Sequence, residues 1–217
     1  MKSYKLQHYV DKMKRGETFS FARYGDGEMY CMWGKRGGNS NGCRYSPELR
    51  AGLLDSMKHK NDPTFIYGMH RVLPQDRTRM ENEYPDVDWH DSEFLGEAVA
   101  SGELYPFIEQ LKKMPLTFIA NASIRPFVAK EFPGAQFIEV PASNAFDTPP
   151  PFLMMDNRVY LFSCGMAANA FISQFHGSGN RWLIDVGHIW DPFVGNMSRC
   201  DLEGKTKEDI DKNLWEK

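Results

Sequence analysis

The side chains best suited to chemistry in this sequence lie in one short segment, Arg23-Tyr24-Gly25-Asp26-Gly27-Glu28. Its two carboxylates are one residue apart. A hard divalent cation prefers oxygen ligands such as carboxylates, and a cation held by them can also bind the phosphates of a substrate. Arg23 is suited to bind phosphate through paired hydrogen bonds. The segment therefore predicts a metal and phosphate site with Asp26 and Glu28 as the metal ligands.

The residues on either side of these acids indicate which elements position them. Phe19 and Phe21 alternate with smaller residues, a pattern typical of a short strand, and apolar residues after Glu28 indicate the start of a helix. Between the two, Gly25 and Gly27 permit positive φ angles and a close approach of a ligand to the backbone. Ligands bind at the carboxyl ends of strands in an open α/β sheet, which is where this turn would lie. The plainer alternative is an ordinary turn whose acid only caps a helix.

Five further strand patterns follow along the chain, and helical patterns separate them. Strands are predicted at 64–69, 116–121, 136–140, 159–163 and 182–186. This alternation favours an α/β fold: a single Rossmann-like domain with a mainly parallel, doubly wound sheet and helices on both faces. We predict one domain over residues 1–217, with a core at about 17–195 and a peripheral helix at about 203–217. The charge-rich stretch 74–103 is typical of a solvated face, or alternatively of an insertion beside an acceptor.

Polar residues recur just after these predicted strands. They are His70 and Arg71 after the second strand, Arg125 after the third, Ser143 and Asn144 after the fourth, Cys164 and Gly165 after the fifth, and Asp185, Gly187 and His188 after the sixth. Because the carboxyl ends of parallel strands meet at one edge of a sheet, these residues are predicted to lie near Asp26. Any one of them is more often structural than functional, so the prediction depends on their common placement.

Composition and charge limit the class of protein. A hydrophobic fraction of 41% and a charged fraction of 25% are typical of globular proteins. With a net charge of −3, the whole molecule is not steered towards nucleic acid or acidic membranes. The four cysteines lack zinc-site spacing and are too few for a disulfide scaffold, so we read them as reduced thiols. No signal peptide or apolar span is present, and we therefore expect a cytoplasmic protein without membrane insertion.

On these motifs the chain resembles the GT-D class of nucleotide-sugar glycosyltransferases. The segment 23–28 is similar to the Arg-aromatic-Gly-Asp-Gly-Glu signature of that family, and Ile184-Asp185-Val186-Gly187-His188-Ile189 is similar to its Asp-Ile-Gly-His-Ile motif. Weaker likenesses occur at 46–49, 123–126 and 140–146, and the resemblance spans about residues 17–195. The chain departs from the family at Cys164-Gly165-Met166, where Gly-Pro-Thr is usual, and at Trp190-Asp191-Pro192-Phe193, where an acidic-aromatic run is usual.

The resemblance implies transfer of a sugar from a nucleoside-diphosphate sugar, with a UDP-sugar as the leading donor, assisted by Mn²⁺ or Mg²⁺ on Asp26 and Glu28. The acceptor would be a hydroxyl of a glycan, a glycoprotein or a modified DNA base. His188 and Asp191 are the candidate catalytic residues, as a general base and its orienting acid. Alternatively, His188 binds the metal or the diphosphate, and Asp185 holds the ribose. The residues predicted to bind the nucleotide sugar are Arg23, Tyr24, Gly25, Gly27, Arg125, Ser143, Asn144, Cys164, Gly165 and Asp185.

Two other functions stay open from the sequence. A metal-dependent phosphohydrolase or nucleotidyl enzyme could use the same carboxylates, although such sites commonly need more clustered acids. A non-catalytic nucleotide-binding module is the second alternative, and a homo-oligomer is compatible with either. For the acceptor, aromatic and basic residues interleave as in stacking grooves, with a basic surface loop as the plainer alternative; they are Trp33, Lys35, Arg36, Arg44, Tyr45 and Arg50.

Overall fold

The strands of this protein form one parallel sheet. In the computed structural model, which describes residues 1–39, 42–70, 72–149 and 157–196, they are β1 (Ser20–Tyr24), β2 (Phe65–Met69), β3 (Trp89–Asp91), β4 (Leu116–Ala120), β5 (Gln136–Glu139), β6 (Val159–Ser163) and β7 (Trp182–Asp185). Their order across the sheet is β3-β2-β1-β7-β6-β4-β5, and every pairing is parallel. The predicted α/β fold with a parallel sheet is therefore confirmed.

Helices cover both faces of this sheet. They are α1 (Leu6–Lys14), α2 (Asp26–Met32), α3 (Pro47–Asp55), α4 (Pro74–Glu83), α5 (Phe94–Ser101), α6 (Tyr105–Leu111), α7 (Arg125–Glu131) and α8 (Ala167–Phe175). Helices α1, α5, α6 and α7 pack on the first face, whose core includes Tyr9, Phe118 and Trp190. Helices α2, α3, α4 and α8 pack on the second face, whose core includes Leu53 and Phe171.

The strands divide their side chains between these two cores. In β1, Phe21 belongs to the core of the first face, whereas Ala22 and Tyr24 belong to the core of the second. Successive side chains of a strand point to opposite faces, so a strand covered on both sides needs apolar residues at consecutive positions. The strands were predicted from continuous apolar runs, and these runs occur because the strands are buried on both faces.

The crossovers between strands follow a single rule. The connections β1–β2, β2–β3, β5–β6 and β6–β7 all move one way along the sheet and pack on the second face, whereas β3–β4 and β4–β5 move the other way and pack on the first face. A uniform crossover handedness requires this arrangement.

As a result, the chain leaves neighbouring strands towards opposite faces beside β7. The segments after β1 and β6 enter α2 and α8 on the second face, whereas the segment after β7 leads to a 3-10 turn, Asp191–Val194, that contacts α7 on the first face. Such divergence opens a crevice at the carboxyl ends of the strands.

The start of α3 confirms a local prediction from the sequence. Ser46 is its N-cap and accepts a hydrogen bond from the Leu49 amide at 3.1 Å, and Pro47 occupies the first helical position. Proline is suited to that position because the amide it lacks has no partner there in any case.

The charge-rich stretch 74–103 is a solvated face only over α4, of which Met80 alone is buried. It forms α4, the edge strand β3 and α5, and the Trp89 side chain is buried in the core of the second face. The strand has only three residues, two of them His90 and Asp91, so its sequence carries no strand periodicity. The predicted helix at 203–217 lies outside the described residues. None of the helices described is both long and apolar enough to cross a membrane.

Candidate active site

The crevice begins where β1 and β7 separate. The two strands pair only at Ser20 with Leu183 and at Phe21 with Ile184, whereas the pairing of β1 with β2 continues to Tyr24. The Phe19 carbonyl accepts a hydrogen bond from β7, so the odd-numbered residues of β1 turn their backbone groups towards that strand. The amide and carbonyl of Arg23 therefore point into a gap that β7 no longer fills.

The side chain of Asn169 fills this gap from α8. Its Oδ1 accepts a hydrogen bond from the Arg23 amide at 3.1 Å, and its Nδ2 donates to the Arg23 carbonyl at 2.6 Å. Asn169 is completely buried. Buried backbone groups need partners, and one carboxamide supplies both a donor and an acceptor. Asn169 thus replaces a strand at the point where the sheet opens. No motif marks Asn169 in the sequence, although a single Asn in the apolar run 167–172 is a usable signal.

Arg23 is held in a buried ion pair at the entrance of the crevice. Its Nε lies 3.4 Å from Oδ2 of Asp185, and the side chains are only 12% and 7% exposed. The other oxygen of Asp185 accepts the Gly187 amide at 2.8 Å. A Cβ atom on Gly187 would overlap the Arg23 guanidinium, and Gly187 has a φ of +55°. The turn after β7 therefore needs glycine both for its conformation and for the space that Arg23 occupies.

The two acids of the first motif have different surroundings. Asp26 is exposed at the first position of α2, and its Oδ1 accepts the Gly27 amide at 2.8 Å. Glu28 folds back, and its Oε2 accepts the Gly25 amide at 2.9 Å. Burial raises the pKa of Glu28 to about 7; the nearby charge of Asp185 adds to this rise, whereas backbone hydrogen bonds and Arg23 oppose it. Glu28 therefore closes the helix start, while Asp26 faces solvent.

These acids fit a metal ion only if a ligand completes the site. No three His, Cys, Asp or Glu side chains in the described ranges are grouped so that they could hold a metal. Mg²⁺ is typically bound by one or two carboxylates together with substrate phosphates rather than by an all-protein cage. Each acid uses one oxygen for a backbone amide, and a carboxylate has a second. Asp26 is the better placed ligand, because it is exposed, whereas Glu28 is half-buried and accepts the Gly25 amide.

The two glycines of the turn are needed for close packing rather than for positive φ. Gly25 has a φ of −102°, and Gly27 lies inside α2, contrary to the conformational role expected from the sequence. A Cβ on Gly27 would lie 3.2 Å from Cβ of Asn39 and 3.4 Å from Sδ of Met166. The turn is thus covered by Asn39 on one side and by the start of α8 on the other.

His188 and Asp191 form a hydrogen-bonded pair after β7. Nδ1 of His188 lies 3.2 Å from Oδ2 of Asp191, which also accepts Nδ2 of Asn196 at 3.2 Å. The His188 side chain is 37% exposed and that of Asp191 only 12%. The adjacent Trp190 is completely buried in the core of the first face and anchors this turn. A buried carboxylate thus orients a histidine that ligands can reach.

The turn after β6 contributes backbone rather than a reactive thiol. Cys164 is buried, and burial raises the pKa of its thiol well above the ordinary value. The next residue, Gly165, has a φ of +60°, and Sγ of Cys43 lies 3.7 Å from the position of a Cβ there. A small groove in front of this turn is lined by Cys43, Asn144 and Cys164 among others. Asn144, itself at a φ of +54°, accepts the Arg44 amide at 2.8 Å. Ser143 precedes it and is half-buried.

Tyr24 and Arg125, both predicted to bind the nucleotide sugar, form contacts with other parts of the protein. The Tyr24 side chain is fully buried in the core of the second face, and its hydroxyl lies 2.5 Å from that of Ser56. Arg125 is exposed at the start of α7 and forms an ion pair with Glu139 at 2.8 Å. It follows β4, which β6 separates from β7. The Tyr24 side chain therefore points away from the crevice, and the Arg125 side chain is paired with Glu139. Arg71 lies outside the described residues.

Comparison with known proteins gives a fold. No protein-family model matches this chain, and no curated protein matches it. A solved structure, the selenomethionine-substituted structure of a domain of unknown function (DUF1792), is similar over 89% of this chain and 80% of that chain. The TM-score is 0.63 and 18% of the residues are identical. This similarity shows that the two chains share an α/β fold.

Proposed function

We propose that this protein is a glycosyltransferase that moves a sugar from a nucleoside-diphosphate sugar to an acceptor hydroxyl with the help of Mn²⁺ or Mg²⁺. The observation that carries the proposal is the crevice beside β7. There Arg23 forms an ion pair with Asp185, a residue of the second motif that resembles the GT-D class. Two distant motifs of one family resemblance therefore meet at the edge where α/β folds bind ligands.

Arg23 would stabilise the leaving group. When the bond between the sugar and the diphosphate breaks, negative charge develops on the diphosphate. Asp185 and the Gly187 backbone hold the Arg23 side chain in place before any ligand arrives, and such preorganised donors act most strongly on charge that develops during reaction. A guanidinium has five N–H donors, more than one carboxylate uses.

Asp26, together with Glu28, would hold the cation. When bound, Mn²⁺ or Mg²⁺ supplies Lewis-acid stabilisation of the departing diphosphate. Asp26 contributes an exposed carboxylate at a helix N-terminus, where backbone amides also favour phosphate. The turn of Cys164 and Gly165 and the loop of Ser143 and Asn144 stay predicted contacts for the nucleoside, for which UDP is the leading candidate.

His188 would activate the acceptor. If its Nδ1 donates to Asp191, Nε2 carries the lone pair that can take the proton of the acceptor hydroxyl. The acceptor oxygen then forms a bond to the anomeric carbon, the bond from that carbon to the diphosphate breaks, and the nucleoside diphosphate leaves. Asp191 is buried and bound to Asn196, so it keeps the imidazole oriented.

Thermal unfolding with a panel of UDP-, GDP- and TDP-sugars tests this proposal, with Mn²⁺, with Mg²⁺ and with a chelator. We expect one sugar nucleotide to raise the unfolding temperature only when metal is present, because a ligand that binds only the folded state stabilises it. Asp26→Asn should abolish this rise. The matched control is Asp55→Asn, which changes another exposed acid, at the end of α3. A rise indifferent to metal and to Asp26 would contradict the assignment.

Product analysis separates the proposed function from its alternatives. A phosphohydrolase or nucleotidyl enzyme would cleave the donor at the same rate with and without acceptor, whereas a transferase consumes it faster when an acceptor is present. A binding module would be stabilised by the nucleotide without turnover of any kind.

A further inference from the structure

A surface of aromatic and basic residues continues from Asp26 along α2. Asp26, Tyr30 and Trp33 are spaced by four and three residues, so they lie on one side of the helix. Tyr30 and Trp33 are both partly exposed. We call Tyr30, Trp33, Lys35, Arg36, Arg44 and Arg50 the α2 surface. Tyr30 is one helical turn, or about 6 Å along the axis, from the predicted metal ligand.

Helix α4 fixes both aromatic rings by their polar edges. The Tyr30 hydroxyl donates to Asp76 at 3.0 Å, and Nε1 of Trp33 donates to Glu83 at 2.7 Å. Aromatic side chains that are held in this way lose little conformational entropy when a ligand stacks on them. The two rings therefore form a rigid platform rather than two mobile side chains.

Cations lie directly against these rings. Nζ of Lys35 is 3.2 Å from the centre of the Tyr30 ring, and the Arg79 guanidinium carbon is 4.0 Å from that of Trp33. Both distances are within the range of cation–π contacts. Arg79 is also paired with Glu83 at 2.8 Å, whereas Lys35 forms no ion pair with a carboxylate in the described part of the chain.

The segment 35–50, which supplies the cations of the α2 surface, is basic, although the acids Asp76 and Glu83 of α4 lie beside the two rings. From Lys35 to Arg50 the sequence contains four basic residues and one acid, Glu48, whereas the chain as a whole carries −3. Lys35, Arg36, Arg44 and Arg50 are all exposed. Arg44 is 3.8 Å from Asp147, but both side chains are mostly exposed, and such pairs contribute little.

We propose that the α2 surface binds single-stranded nucleic acid and that this polymer carries the acceptor hydroxyl; the second clause rests on the proposed function. Proteins bind single strands by combining basic residues for the phosphates with aromatic platforms for the bases, and this surface has both. A neutral glycan could stack on Tyr30 and Trp33 but would leave the exposed cations without a role. Polyanions without bases would use the cations but not the rings.

The position of the surface suits an acceptor. A nucleotide held near Tyr30 lies beside Asp26, and therefore beside the donor diphosphate of the proposed reaction. The hydroxyl of that nucleotide would lose its proton to His188 as its oxygen bonds to the anomeric carbon, and the nucleoside diphosphate would leave with the bonding electrons. Every bond change is thus that of the proposed transfer, with the nucleotide as the acceptor.

Fluorescence anisotropy of the full chain with a labelled 12-nucleotide oligothymidylate tests the proposal over a series of NaCl concentrations. We expect a salt slope, log K against log of salt concentration, of about −3, since four cations neutralise about four phosphates at about 0.7 each. Three probes separate the contributions: a peptide nucleic acid of the same sequence, which lacks phosphates; polyphosphate, which lacks bases; and a heparin fragment, an anionic glycan. All three should bind at least tenfold more weakly than the oligonucleotide.

Variants assign the binding to the α2 surface. Lys35→Ala/Arg36→Ala should lower the magnitude of the salt slope by about 1.4 and weaken binding at least tenfold. Trp33→Leu should weaken binding about tenfold without changing the slope, because it removes stacking only. The control is Lys14→Ala/Lys130→Ala, which removes two exposed lysines from α1 and α7 and should change neither quantity.

The outcomes separate this inference from the proposed function. Equal affinity for polyphosphate, tighter binding of the heparin fragment, or variants without effect would overturn the nucleic-acid site. If a sugar nucleotide stabilises the protein and the oligonucleotide does not bind, only the acceptor inference fails. If the oligonucleotide binds and no sugar nucleotide does, the proposed transfer fails and with it the role of the polymer as acceptor.

Discussion

Two histidine–aspartate pairs lie at opposite ends of the strands, one at the carboxyl ends (the carboxyl edge of the sheet) and one at the amino ends (the amino edge). Their surroundings differ. At the carboxyl edge, His188 is 37% exposed and bonds Asp191 through Nδ1. At the amino edge, His176 is 6% exposed, with Nε2 at 2.9 Å from Asp62 and Nδ1 at 2.8 Å from the Ser20 hydroxyl. The second set has the residue types of a hydrolytic Ser-His-Asp triad, yet it lies at the edge away from the crevice.

The position of a histidine–aspartate pair in this fold decides its role. Ser20 is only 3% exposed inside β1, so no substrate reaches its hydroxyl. Both ring nitrogens of His176 are occupied by side chains, and the ring also packs against His59, at 4.6 Å between centroids. The pair at the amino edge therefore joins α8 to β1 and to the loop before β2. The pair at the carboxyl edge opens towards ligands.

We expect the largest effect from a change at Asp26, the proposed metal ligand at the carboxyl edge. Asp26→Asn should lower the transfer rate by about 100- to 1,000-fold, because the cation that would neutralise the diphosphate charge then loses a ligand. Its stability should change by no more than about 1 kcal/mol, since Asp26 is exposed and only its helix N-terminal charge is lost. Initial rates and urea unfolding measure the two effects. Asp62→Asn, at the other edge, should leave the rate unchanged, and equal rate losses would contradict the comparison.

Replacing each of the two histidines by glutamine tests whether their roles differ. His188→Gln should reduce the transfer rate about 100-fold through loss of the general base, at nearly wild-type stability. His176→Gln should instead destabilise the fold by about 2 kcal/mol, because buried partners lose their hydrogen bonds, at nearly wild-type rate. Steady-state rates and denaturant midpoints on both variants show whether the roles are divided in this way. A slow, stable His176→Gln variant would reverse the assignment.

Asn169 links the two edges of the sheet. It lies on α8, which ends just before His176, and it is hydrogen-bonded to the backbone of Arg23 in β1. Asn169→Leu should destabilise the protein by about 2–3 kcal/mol, because the Arg23 amide and carbonyl lose their partners. Asn169→Asp keeps an acceptor for the amide, but it buries a carboxylate against the Arg23 carbonyl, and it should cost at least as much. We expect both variants to raise KM for the donor. The matched control, Gln174→Leu on the exposed side of α8, should change neither stability nor KM.

We expect the smallest effect from the titration of Asp62 at the amino edge. Hydrogen bonds from Thr64 and His176 lower the pKa of Asp62 to about 2, from an ordinary value of 3.8. The stabilisation is therefore complete above about pH 4 and is lost as the pH falls towards 2. Because Asp62 is 42% exposed, we expect about 1 kcal/mol or less. Unfolding free energies of wild type and Asp62→Asn should converge over this range, and a constant difference would contradict the linkage.

Much of the fold could be predicted because double burial makes strands of a parallel sheet apolar at consecutive positions. Five of the seven strands show that pattern, as in β4, whose five residues are all buried, whereas the edge strand β5 is only partly buried. The short edge strand β3 does not, because the residues Trp89-His90-Asp91 lack both length and periodicity. The order of the strands is not encoded in any local pattern either, since it depends on which crossovers pack on which face.

Only some residues of the candidate site could be predicted from the sequence. Arg23, Asp26, Asp185 and His188 are recognisable because their motifs are local, and strand ends meet at one edge. Tyr24 belongs to the same motif, but the alternation of side chains along β1 turns it into the core. Asn169 escapes recognition because its partner is 146 residues away and is backbone. No sequence pattern marks a side chain that replaces a missing strand.

The gap that Asn169 closes has a consequence for the evolution of this chain. Among the natural amino acids, Asn and Gln alone carry a neutral carboxamide that both donates and accepts in one plane, and Gln is one methylene longer than the fully buried space allows without repacking. Position 169 should therefore tolerate as little variation in a saturation library as the glycines of the turns, although it contacts no substrate. Selection for catalysis would act on position 169 through the geometry of the Arg23 backbone. An evolutionary change of sugar or acceptor would therefore leave Asn169 unchanged.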